Sequence, residues 1–554
     1  MVSDLAPNMN YRLSPHEIAE LRPYGEVRRH EKGDLLFDEG DREVDLCIVL
    51  SGQLDVYLFE DGERRRVGWL EPSQFTGDVS MITGQSSLVR GEMQVEGEVL
   101  HVSQKSLQRL LVERSELSDA FVTTFIARRA WARASGRASV VIIGFAFDRA
   151  AFAIRDLLSR HSVPHIWVEA DADPKAATIL ERLQLTAADT PVLVTGSKTF
   201  LKRPSLGEVS KALGLDLLPD GACADIIIIG AGPAGLASSV YAASEGLSVV
   251  AIDAVAPGGQ AGSSSKIENY LGFPSGVSGR ELAERASVQA QKFGARIAAP
   301  ASVETLEKLE GDYCVTLVDG RKLMARSVVV ASGAEYRKLP IDNIEQYEGS
   351  GIYYGATAME AQLCKGSKIA IVGAGNSAGQ GAVFLSSLCE EVHLLYRRPS
   401  IRDTMSEYLV RRLEETPNIF LHGSSSVSQL EGDGKRLRRI CIKSGDEEEW
   451  CEAPFLFLFI GAKPCTDWLD PLVARDEDGF LRTGHDIHNI ELVRAGWPLD
   501  RMPTLYETNW PRVYAVGDVR SGSVKRVAAG VGEGSGVVAY IHRALAEASG
   551  PTER

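Results

Sequence analysis

The stretch that decides the fold is Asp225-Ile-Ile-Ile-Ile-Gly-Ala-Gly-Pro-Ala-Gly235, followed by a second apolar run that ends on Asp253. Four consecutive isoleucines predict a strand that is buried on both faces. Gly230, Gly232 and Gly235 allow, in turn, a tight turn, a close backbone approach to a pyrophosphate, and close packing of the next helix. The helix N-terminus favours phosphate, and a carboxylate after the second strand can accept a ribose hydroxyl. Together these features predict a dinucleotide site, whereas a glycine-rich turn alone would be a weak signal.

Length and composition predict a large multidomain protein with the amino-acid composition of an ordinary soluble protein. The 554 residues suggest about three to four domains. A net charge of −15 argues against sequence-independent binding to nucleic acid or to an anionic membrane. The N-terminus lacks the basic start and apolar core of a signal peptide, and no apolar run approaches the roughly 20 residues of a membrane span. We therefore expect a cytoplasmic protein.

The cysteines predict neither disulfides nor a metal site. The chain has eight, and no two of them form Cys-x-x-Cys. Scattered thiols in a large protein without a leader are more often reduced core residues than disulfides. No Cys or His spacing resembles a metal site, so we expect no bound metal.

Short β-rich runs separated by Gly and Asp follow one another from Val27 to Ser103, and a helical segment is predicted from Leu107 to Arg133. This spacing predicts a small antiparallel barrel or jelly roll. Residues 12–130 resemble the cyclic-nucleotide-binding domain family, which places a β-roll with flanking helices in a first domain, residues 1–136.

The resemblance also implies a cyclic-nucleotide pocket, but one of its anchors is missing. Gly77 and Asp78 match the family's turn, whose carboxylate holds the ribose hydroxyl. The position of the family's phosphate-binding arginine is occupied by Gln85, beside Ser86. Arg90 cannot replace that arginine, because five residues along a strand place it on the opposite face. Loss of a charge-assisted pair predicts weak cyclic-nucleotide binding. The open alternative is a regulatory or structural module with a degenerate pocket.

Residues 137–217 form a second, smaller unit. The order β-α-β-α-β-(β)-α, with Pro191 before the third strand, resembles the thioredoxin and glutaredoxin fold. That family carries its dithiol at the start of the first helix, where this chain reads Gly144-Phe-Ala-Phe-Asp148. Without cysteines, such a unit can bind a partner or pack between domains, but it cannot exchange disulfides.

The remaining residues, 222–546, carry the strongest resemblance. Pro257-Gly-Gly-Gln260 and Ile267-Glu-Asn-Tyr270 are similar to loops beside the flavin in the low-molecular-weight thioredoxin reductase family. Val527 stands where that family has Gln. The resemblance assigns the following residues to FAD: Gly230, Gly232, Pro233, Ala234, Gly235, Asp253, Gly259, Gln260, Asn269, Gly333, Gly517, Asp518, Arg526, Val527 and Ala528.

A second dinucleotide-binding fingerprint, a strand followed by a glycine-rich turn like that at Gly230–Gly235, lies between the two parts of the first nucleotide-binding fold. Lys368-Ile-Ala-Ile-Val-Gly-Ala-Gly-Asn-Ser-Ala378 opens it, and the next strand ends on arginines instead of an acid. Clustered Arg side chains can bind a 2′-phosphate, which favours NADPH over NAD. We assign to NADPH the residues Gly373, Gly375, Asn376, Ser377, Ala378, Arg397, Arg398 and Arg402.

The fold class that follows is a multidomain chain: a β-roll, a small thioredoxin-like α/β unit, and two Rossmann-like α/β (ββα three-layer) domains for FAD and NADPH. The expected boundaries are 222–341 for the first part of the FAD domain, 342–455 for the NADPH domain and 456–546 for the second part.

The redox dithiol of thioredoxin reductases is absent. The alignment places Gly355, Ala356, Thr357 and Ala358 at the Cys-x-x-Cys position. Cys364 lies alone six residues later, and we expect it to pack in the core. No residue is required to act as a catalytic acid or base.

These observations favour an NADPH-dependent FAD oxidoreductase that passes electrons to an acceptor protein or small molecule, such as thioredoxin, ferredoxin or a quinone. The family resemblance implies a homodimer with a mobile NADPH domain. The alternative is a redox or nucleotide sensor with little turnover, in which FAD and NADPH binding control domain arrangement or partner binding. A third hypothesis keeps thioredoxin as the substrate through Cys364 and Cys389.

Overall fold

The structure, a computed structural model, describes residues 9–60, 63–135, 138, 140–145, 148–195, 199–216, 218–262, 267, 270–348, 351–356, 361, 364–434 and 436–548. In these ranges no helix is both long enough and apolar enough to cross a membrane. Short 3-10 helices occur at Arg22–Tyr24, Ala187–Asp189, Ile344–Gln346, Gly484–Asp486 and Gly517–Val519.

The N-terminal unit is a β-roll of two antiparallel sheets. Its elements are α1 (Pro15–Leu21), β1 (Glu26–His30), β2 (Leu35–Phe37), β3 (Leu46–Val49), β4 (Gln53–Glu60), β5 (Glu63–Leu70), α2 (Ser80–Thr83), β6 (Arg90–Val95), β7 (Gly97–Val102), α3 (Gln104–Glu113) and α4 (Ser115–Ala134). The sheets have the orders β1-β7-β3 and β2-β6-β4-β5. The helical segment predicted as one is two helices, because Arg114 leaves the helical backbone (φ −126°, ψ 89°).

The second unit has the predicted order of elements. They are β8 (Val140–Gly144), α5 (Arg149–Arg160), β9 (His165–Glu169), α6 (Pro174–Arg182), β10 (Val192–Thr195), β11 (Thr199–Lys202) and α7 (Leu206–Leu213). The sheet order is β11-β10-β8-β9, with β8 parallel to β9 and β10 antiparallel to both β8 and β11. The peptide bond Thr190–Pro191 is cis.

The outer dinucleotide fold begins at Cys223. Its first elements are β12 (Cys223–Ile229), α8 (Pro233–Ser244), β13 (Val249–Ile252), α9 (Gly259–Gly262), α10 (Gly279–Lys292), β14 (Arg296–Ala298), β15 (Val303–Lys308), β16 (Tyr313–Leu317) and β17 (Lys322–Val330). Ile226 and Ile228 pack into one core cluster, and Ile227 and Ile229 pack into another. The strand is therefore buried on both faces, as the isoleucine run predicts.

The inner fold follows this strand set and is flanked by two connecting strands, β18 (Ala334–Tyr336) before it and β27 (Ala462–Pro464) after it. Its own elements are β19 (Ile352–Tyr353), β20 (Lys368–Val372), α11 (Asn376–Ser386), β21 (Glu391–Leu395), α12 (Glu407–Glu415), β22 (Ile419–His422), β23 (Ser425–Gly432), β24 (Leu437–Ser444), β25 (Glu447–Cys451) and β26 (Phe455–Leu458). A parallel sheet, β19-β26-β20-β21-β22, packs against the antiparallel sheet β23-β24-β25.

The chain then returns to the outer fold through α13 (Asn489–Ala495), β28 (Val513–Ala515) and α14 (Val527–Ala548). Strand β28 pairs in parallel with β17, which also pairs with β12. The crossing segments β18 and β27 pair antiparallel to each other. The boundary expected at residue 456 falls inside β26, between β19 and β20 of the inner sheet, so the inner fold extends to Leu458.

Candidate functional site

The outer fingerprint forms the turn that its glycines predict. Gly230 has φ +106°, and a Cβ there would collide with the backbone of Ala331 on the neighbouring strand segment. At Gly235, a Cβ would collide with the carbonyl oxygen of Gly230, so α8 can pack against the turn only if this residue is glycine. Gly232 is the N-cap of α8, and Pro233 and Ala234 are its first two residues. The free N–H groups of this N-terminus form the predicted pyrophosphate site.

The carboxylate of Asp253 holds this turn in place. It accepts hydrogen bonds from the backbone N–H of Ala231 (2.8 Å) and from those of Val255 and Ala256 (both 3.0 Å). Burial raises the pKa of Asp253 despite these three donors. Each carboxylate oxygen has more than one lone pair, so an additional hydroxyl donor can still be accommodated. The predicted ribose contact is therefore compatible with the observed bonds.

The Pro257–Gln260 loop returns to the same turn. Gly258 donates to the carbonyl oxygen of Ala231 (2.7 Å), and Gly259 begins α9. The Gln260 side chain donates to the carbonyl oxygen of Ala334, next to Gly333. The loop thereby joins the glycine-rich turn to the start of β18. The predicted FAD residue Asn269 lies outside the described residues.

The other half of the outer fold brings an unpaired carboxylate to this region. Asp518, directly after Gly517, is half-buried, and its carboxylate makes no hydrogen bond within the described part of the chain. Burial raises its pKa. An unpaired carboxylate at this position fits the family's ribityl contact, because ribityl hydroxyls are the donors that it lacks.

Glu533 is a site-supporting residue that the sequence prediction missed. Its buried carboxylate accepts from the Gly517 N–H (2.7 Å) and pairs with Arg520 (2.6 Å). It thus fixes the backbone beside Asp518. The sequence does contain a signal for Glu533: it is an acidic residue in the Gly- and Ala-rich apolar helix α14, and a buried charge needs a partner.

Helix α14 begins at Val527, directly after Arg526. Arg526 and Ala528 are exposed, and Val527 is partly exposed. A 22-residue helix carries partial positive charge at its N-terminus. The three residues predicted beneath the flavin therefore stand at an exposed helix start that can stabilise negative charge.

The inner fingerprint has the same plan. Gly375 is the N-cap of α11, and Asn376 and Ser377 are its first residues. Ala378 is fully buried in the core of the inner fold. The Asn376 side chain accepts from the Ser406 N–H (2.8 Å), which places the loop after β21 against the helix start.

The predicted arginine cluster divides into two kinds of residue. Arg397 and Arg398 are exposed and form no ion pair with the described residues. Arg402 binds Glu407 (2.7 Å) and Glu414 (2.6 Å). Two arginines are thus available for a 2′-phosphate, and the third is occupied by carboxylates.

The position of the family dithiol contains no thiol. Gly355 and Ala356 follow β19 in the chain, and Ala356 packs against the core of the inner fold. Thr357 and Ala358 lie outside the described residues. Cys364 is buried as predicted, and its Sγ lies 3.5 Å from the Sγ of Cys389. The hydrogen bond between them and burial raise the pKa of Cys389, which makes it a poor nucleophile.

The predicted cyclic-nucleotide residues of the β-roll already bind other side chains of the same chain. The Asp78 carboxylate accepts from the Ser80 N–H (2.9 Å) and from Arg129 (2.8 Å) of helix α4. The same arginine donates to Gln85 Oε1 (3.1 Å). Gly77 and Ser86 flank these residues, and Ser86 Oγ is buried without a described partner. Sequence reasoning missed Arg129 because a fully buried arginine 51 residues from its partner leaves no local pattern.

Two known protein families match separate parts of the chain. The pyridine nucleotide-disulphide oxidoreductase model matches residues 224–534, which is more than half of the chain. The chain belongs to this family. The model of the cyclic nucleotide-binding domain matches residues 27–114, so the oxidoreductase carries that domain at its N-terminal side.

The oxidoreductase is similar to several thioredoxin reductases. The thioredoxin reductase of Bacillus subtilis (strain 168) is 29% identical over 314 residues, covering 56% of this chain and 91% of that protein. NADPH-dependent thioredoxin reductase 3 of Arabidopsis thaliana is 31% identical over 318 residues, covering 56% of each. The crystal structure of T. acidophilum thioredoxin reductase matches with 27% identity and a TM-score of 0.47, over 58% of this chain and 99% of that one. Thioredoxin reductase-like members of the family use FAD and NADPH.

Proposed function

We propose that the chain is an NADPH-dependent flavoprotein oxidoreductase that delivers electrons to an external acceptor without an internal dithiol. The observation that carries the proposal is the pair of dinucleotide folds joined by β18 and β27, together with the absence of both cysteines at residues 355–358. Two such folds in one chain suit electron transfer between two dinucleotides. Bound FAD would supply the redox chemistry that links NADPH to the acceptor.

The protein's own contribution to this chemistry is positioning. The N-terminus of α8 would hold the pyrophosphate of FAD, and Asp253 and Asp518 would accept its hydroxyl groups. The exposed start of α14 at Val527 would lie where negative charge is to be stabilised. Arg397 and Arg398 would bind the 2′-phosphate of NADPH. These assignments rest on the turn geometry and on the unpaired carboxylate of Asp518.

The buried thiols support an acceptor that is reached without a thiol relay. Cys364 and Cys389 contact each other, but both lie in the hydrophobic core of the inner fold. A nucleophilic cysteine needs a lowered pKa and access to its partner, and burial works against both. Candidate acceptors are thioredoxin, ferredoxin, quinones and other small molecules.

Anaerobic addition of NADPH to the FAD-loaded protein tests electron entry. We expect the visible absorbance of the oxidised flavin to bleach, and NADH at equal concentration to bleach it more slowly. An unchanged spectrum with NADPH would contradict the proposed hydride transfer.

We further propose that the N-terminal units regulate the flavin, because helix α10 of the outer fold is shared with the β-roll. Val288 of α10 belongs to the β-roll core, and Glu284 pairs with Arg133 of α4 (3.0 Å). The same helix also lies against the Pro257–Gln260 loop, which is predicted to lie beside the flavin: a Cβ on Gly258 would come within 2.7 Å of the Ala283 Cβ. A movement of the β-roll would therefore be transmitted to this loop through packed side chains.

This shared helix also supports a second candidate function, a sensor in which FAD and NADPH binding change domain arrangement with little turnover. Steady-state NADPH consumption with thioredoxin, ferredoxin, quinones and dyes separates the two. We expect turnover with at least one acceptor; negligible turnover with every acceptor would favour the sensor.

The proposal includes a homodimer, as the family resemblance implies. Light scattering during gel filtration should give twice the mass of the 60.0 kDa chain. A monomer would remove this part of the proposal and leave electron transfer untouched.

A further inference from the structure

The β-roll encloses a cavity of about 190 Å³ that is distinct from both dinucleotide sites. Strands β4 and β5 supply Val56, Leu58 and Trp69 to its wall, helix α4 supplies Trp131, and the second unit closes it with Pro164. Most of this surface is apolar. A cavity of this character binds the apolar part of a ligand by the hydrophobic effect.

The groups that would anchor a cyclic nucleotide are already engaged. Asp78 is bound by Ser80 and Arg129, and Gln85 accepts from the same arginine. Arg90, the nearest arginine in the sequence, is held by Asp38 and Glu92 (both 3.0 Å) and does not line the cavity. A ribose and a cyclic phosphate would both be desolvated here without their usual partners, which is unfavourable.

One cation in the cavity wall lacks an anionic partner. Arg128 of α4 donates to the carbonyl oxygens of Met9 (3.1 Å) and Gly77 (2.8 Å) and stacks over the ring of Phe75 (5.0 Å). Its Nη2 atom is buried with no hydrogen-bond partner among the described residues, and none of their carboxylates forms a salt bridge with it. Asp78, the nearby acid, is paired with Arg129, so this region carries one excess positive charge.

Buried charges are normally paired, since an unpaired charge loses its hydration without compensation. Burial lowers the pKa of Arg128 to about 10, which leaves it charged at neutral pH. The other acid at the cavity, Glu43, is exposed. The cavity therefore combines an apolar interior with one unpaired buried cation.

We propose that the β-roll cavity binds a small, mainly apolar molecule that carries a single carboxylate, with Arg128 as its ionic partner, and that it does not bind a cyclic nucleotide. The ligand is an aryl- or alkyl-carboxylic acid small enough for the cavity. This proposal deepens the regulatory part of the proposed function, and it rests on that part only for any effect on the flavin. Binding itself is independent of electron transfer.

The experiment uses the full-length, FAD-loaded wild-type protein and three probes: 4-phenylbutyrate, 4-phenylbutanol and cAMP. Titration calorimetry measures affinity, and tryptophan fluorescence reports the cavity because Trp69 and Trp131 line it. We expect 4-phenylbutyrate to bind at least about tenfold more tightly than the alcohol, because it alone forms the charge-assisted pair. We expect no saturable heat with cAMP.

Matched variants locate the site. Arg128→Gln should remove the preference for the acid over the alcohol, whereas Arg90→Gln, outside the cavity, should keep it. Trp131→Phe should remove a large part of the fluorescence response without abolishing the heat. Because the acid and alcohol are compared on the wild-type protein, the test stands even if Arg128→Gln fails to fold.

Three outcomes would overturn the proposal: equal affinity for acid and alcohol, tighter binding of cAMP than of 4-phenylbutyrate, or no binding of any probe. None of these bears on flavin bleaching by NADPH, so failure here is distinguishable from failure of the proposed oxidoreductase activity.

Discussion

In the outer fold an acid follows the second strand and is enclosed by backbone N–H groups, whereas in the inner fold two arginines follow the second strand and face solvent. Asp253 accepts three backbone hydrogen bonds, and α8 is covered by α10 and α14. Arg397 and Arg398 make no ion pair within the described residues. The same strand-turn-helix plan thus yields one enclosed site, suited to a resident cofactor, and one open site, suited to a cofactor that exchanges.

The largest effect is expected at the third position of the two glycine-rich turns, where the outer turn leaves no room for a Cβ and the inner turn contains alanine. Gly235→Ala places a Cβ on the Gly230 carbonyl oxygen, so the turn must move; we expect a loss of about 3 kcal/mol in stability and protein purified without flavin. Visible absorbance and urea unfolding measure this. The matched inner variant, Ala378→Gly, should cost only about 1 kcal/mol, as glycine does in a helix. Equal losses would contradict the difference in packing.

The open arginines should control cofactor choice. Arg397→Ala together with Arg398→Ala should raise the KM for NADPH by about a hundredfold, because two charge-assisted hydrogen bonds to phosphate are lost. The KM for NADH should change little. Arg402→Ala is the control, since its two glutamates already bind this arginine. A large effect at Arg402 would show that it leaves them when NADPH binds.

The enclosure of the outer site should make it sensitive to acid. His161 of the second unit contacts the backbone at Val255, and burial lowers its pKa to about 4 from 6.5. Between these values the unfolded chain binds the proton and the folded chain does not, so stability falls as pH decreases through 6.5. We expect about 2 kcal/mol to be lost from pH 7 to pH 5.

This contribution is measured as the urea midpoint for flavin release at the two pH values. His161→Gln should flatten the difference, and the exposed His485→Gln should leave it unchanged. If His161→Gln retains the full pH dependence, other titrating groups at the junction are responsible.

The smallest effect is expected at the buried thiols. Cys364→Ser with Cys389→Ser should leave NADPH consumption within about twofold, because a buried hydroxyl pair replaces the thiol contact and no relay is broken. Steady-state rates with each acceptor measure this. Abolished activity toward thioredoxin would instead support a thiol route through this pair.

Features encoded in a short stretch were predicted well. The turn at Gly230 and the helix that follows need only the glycine spacing and the isoleucine run, and both are found. The boundary at residue 456 was misplaced because Phe455-Leu-Phe-Leu-Phe-Ile460 is uniformly apolar, and its pattern does not say which of two sheets the strand joins.

Contacts between distant segments were not predictable. Arg129 reaches Asp78 across the β-roll, and Cys389 meets Cys364 only because β20 and β21 are neighbours. The pairing of Arg402 with two glutamates likewise depends on how the loop after β21 returns to α12. Such contacts are set by tertiary packing, which single-sequence patterns do not record.

Helix α10 contributes Val288 to the β-roll core and Ala290 to a core of the outer fold, so the proposed regulation would act in both directions. Coupling between two sites is reciprocal: a ligand that alters the flavin's affinity for electrons must itself bind with an affinity that depends on whether those electrons are present, by the same factor. If the contacts of Val288 with the β-roll core and of Ala283 with Gly258 couple the two sites as proposed, the N-terminal unit would sense the redox state of the flavin as well as regulate it.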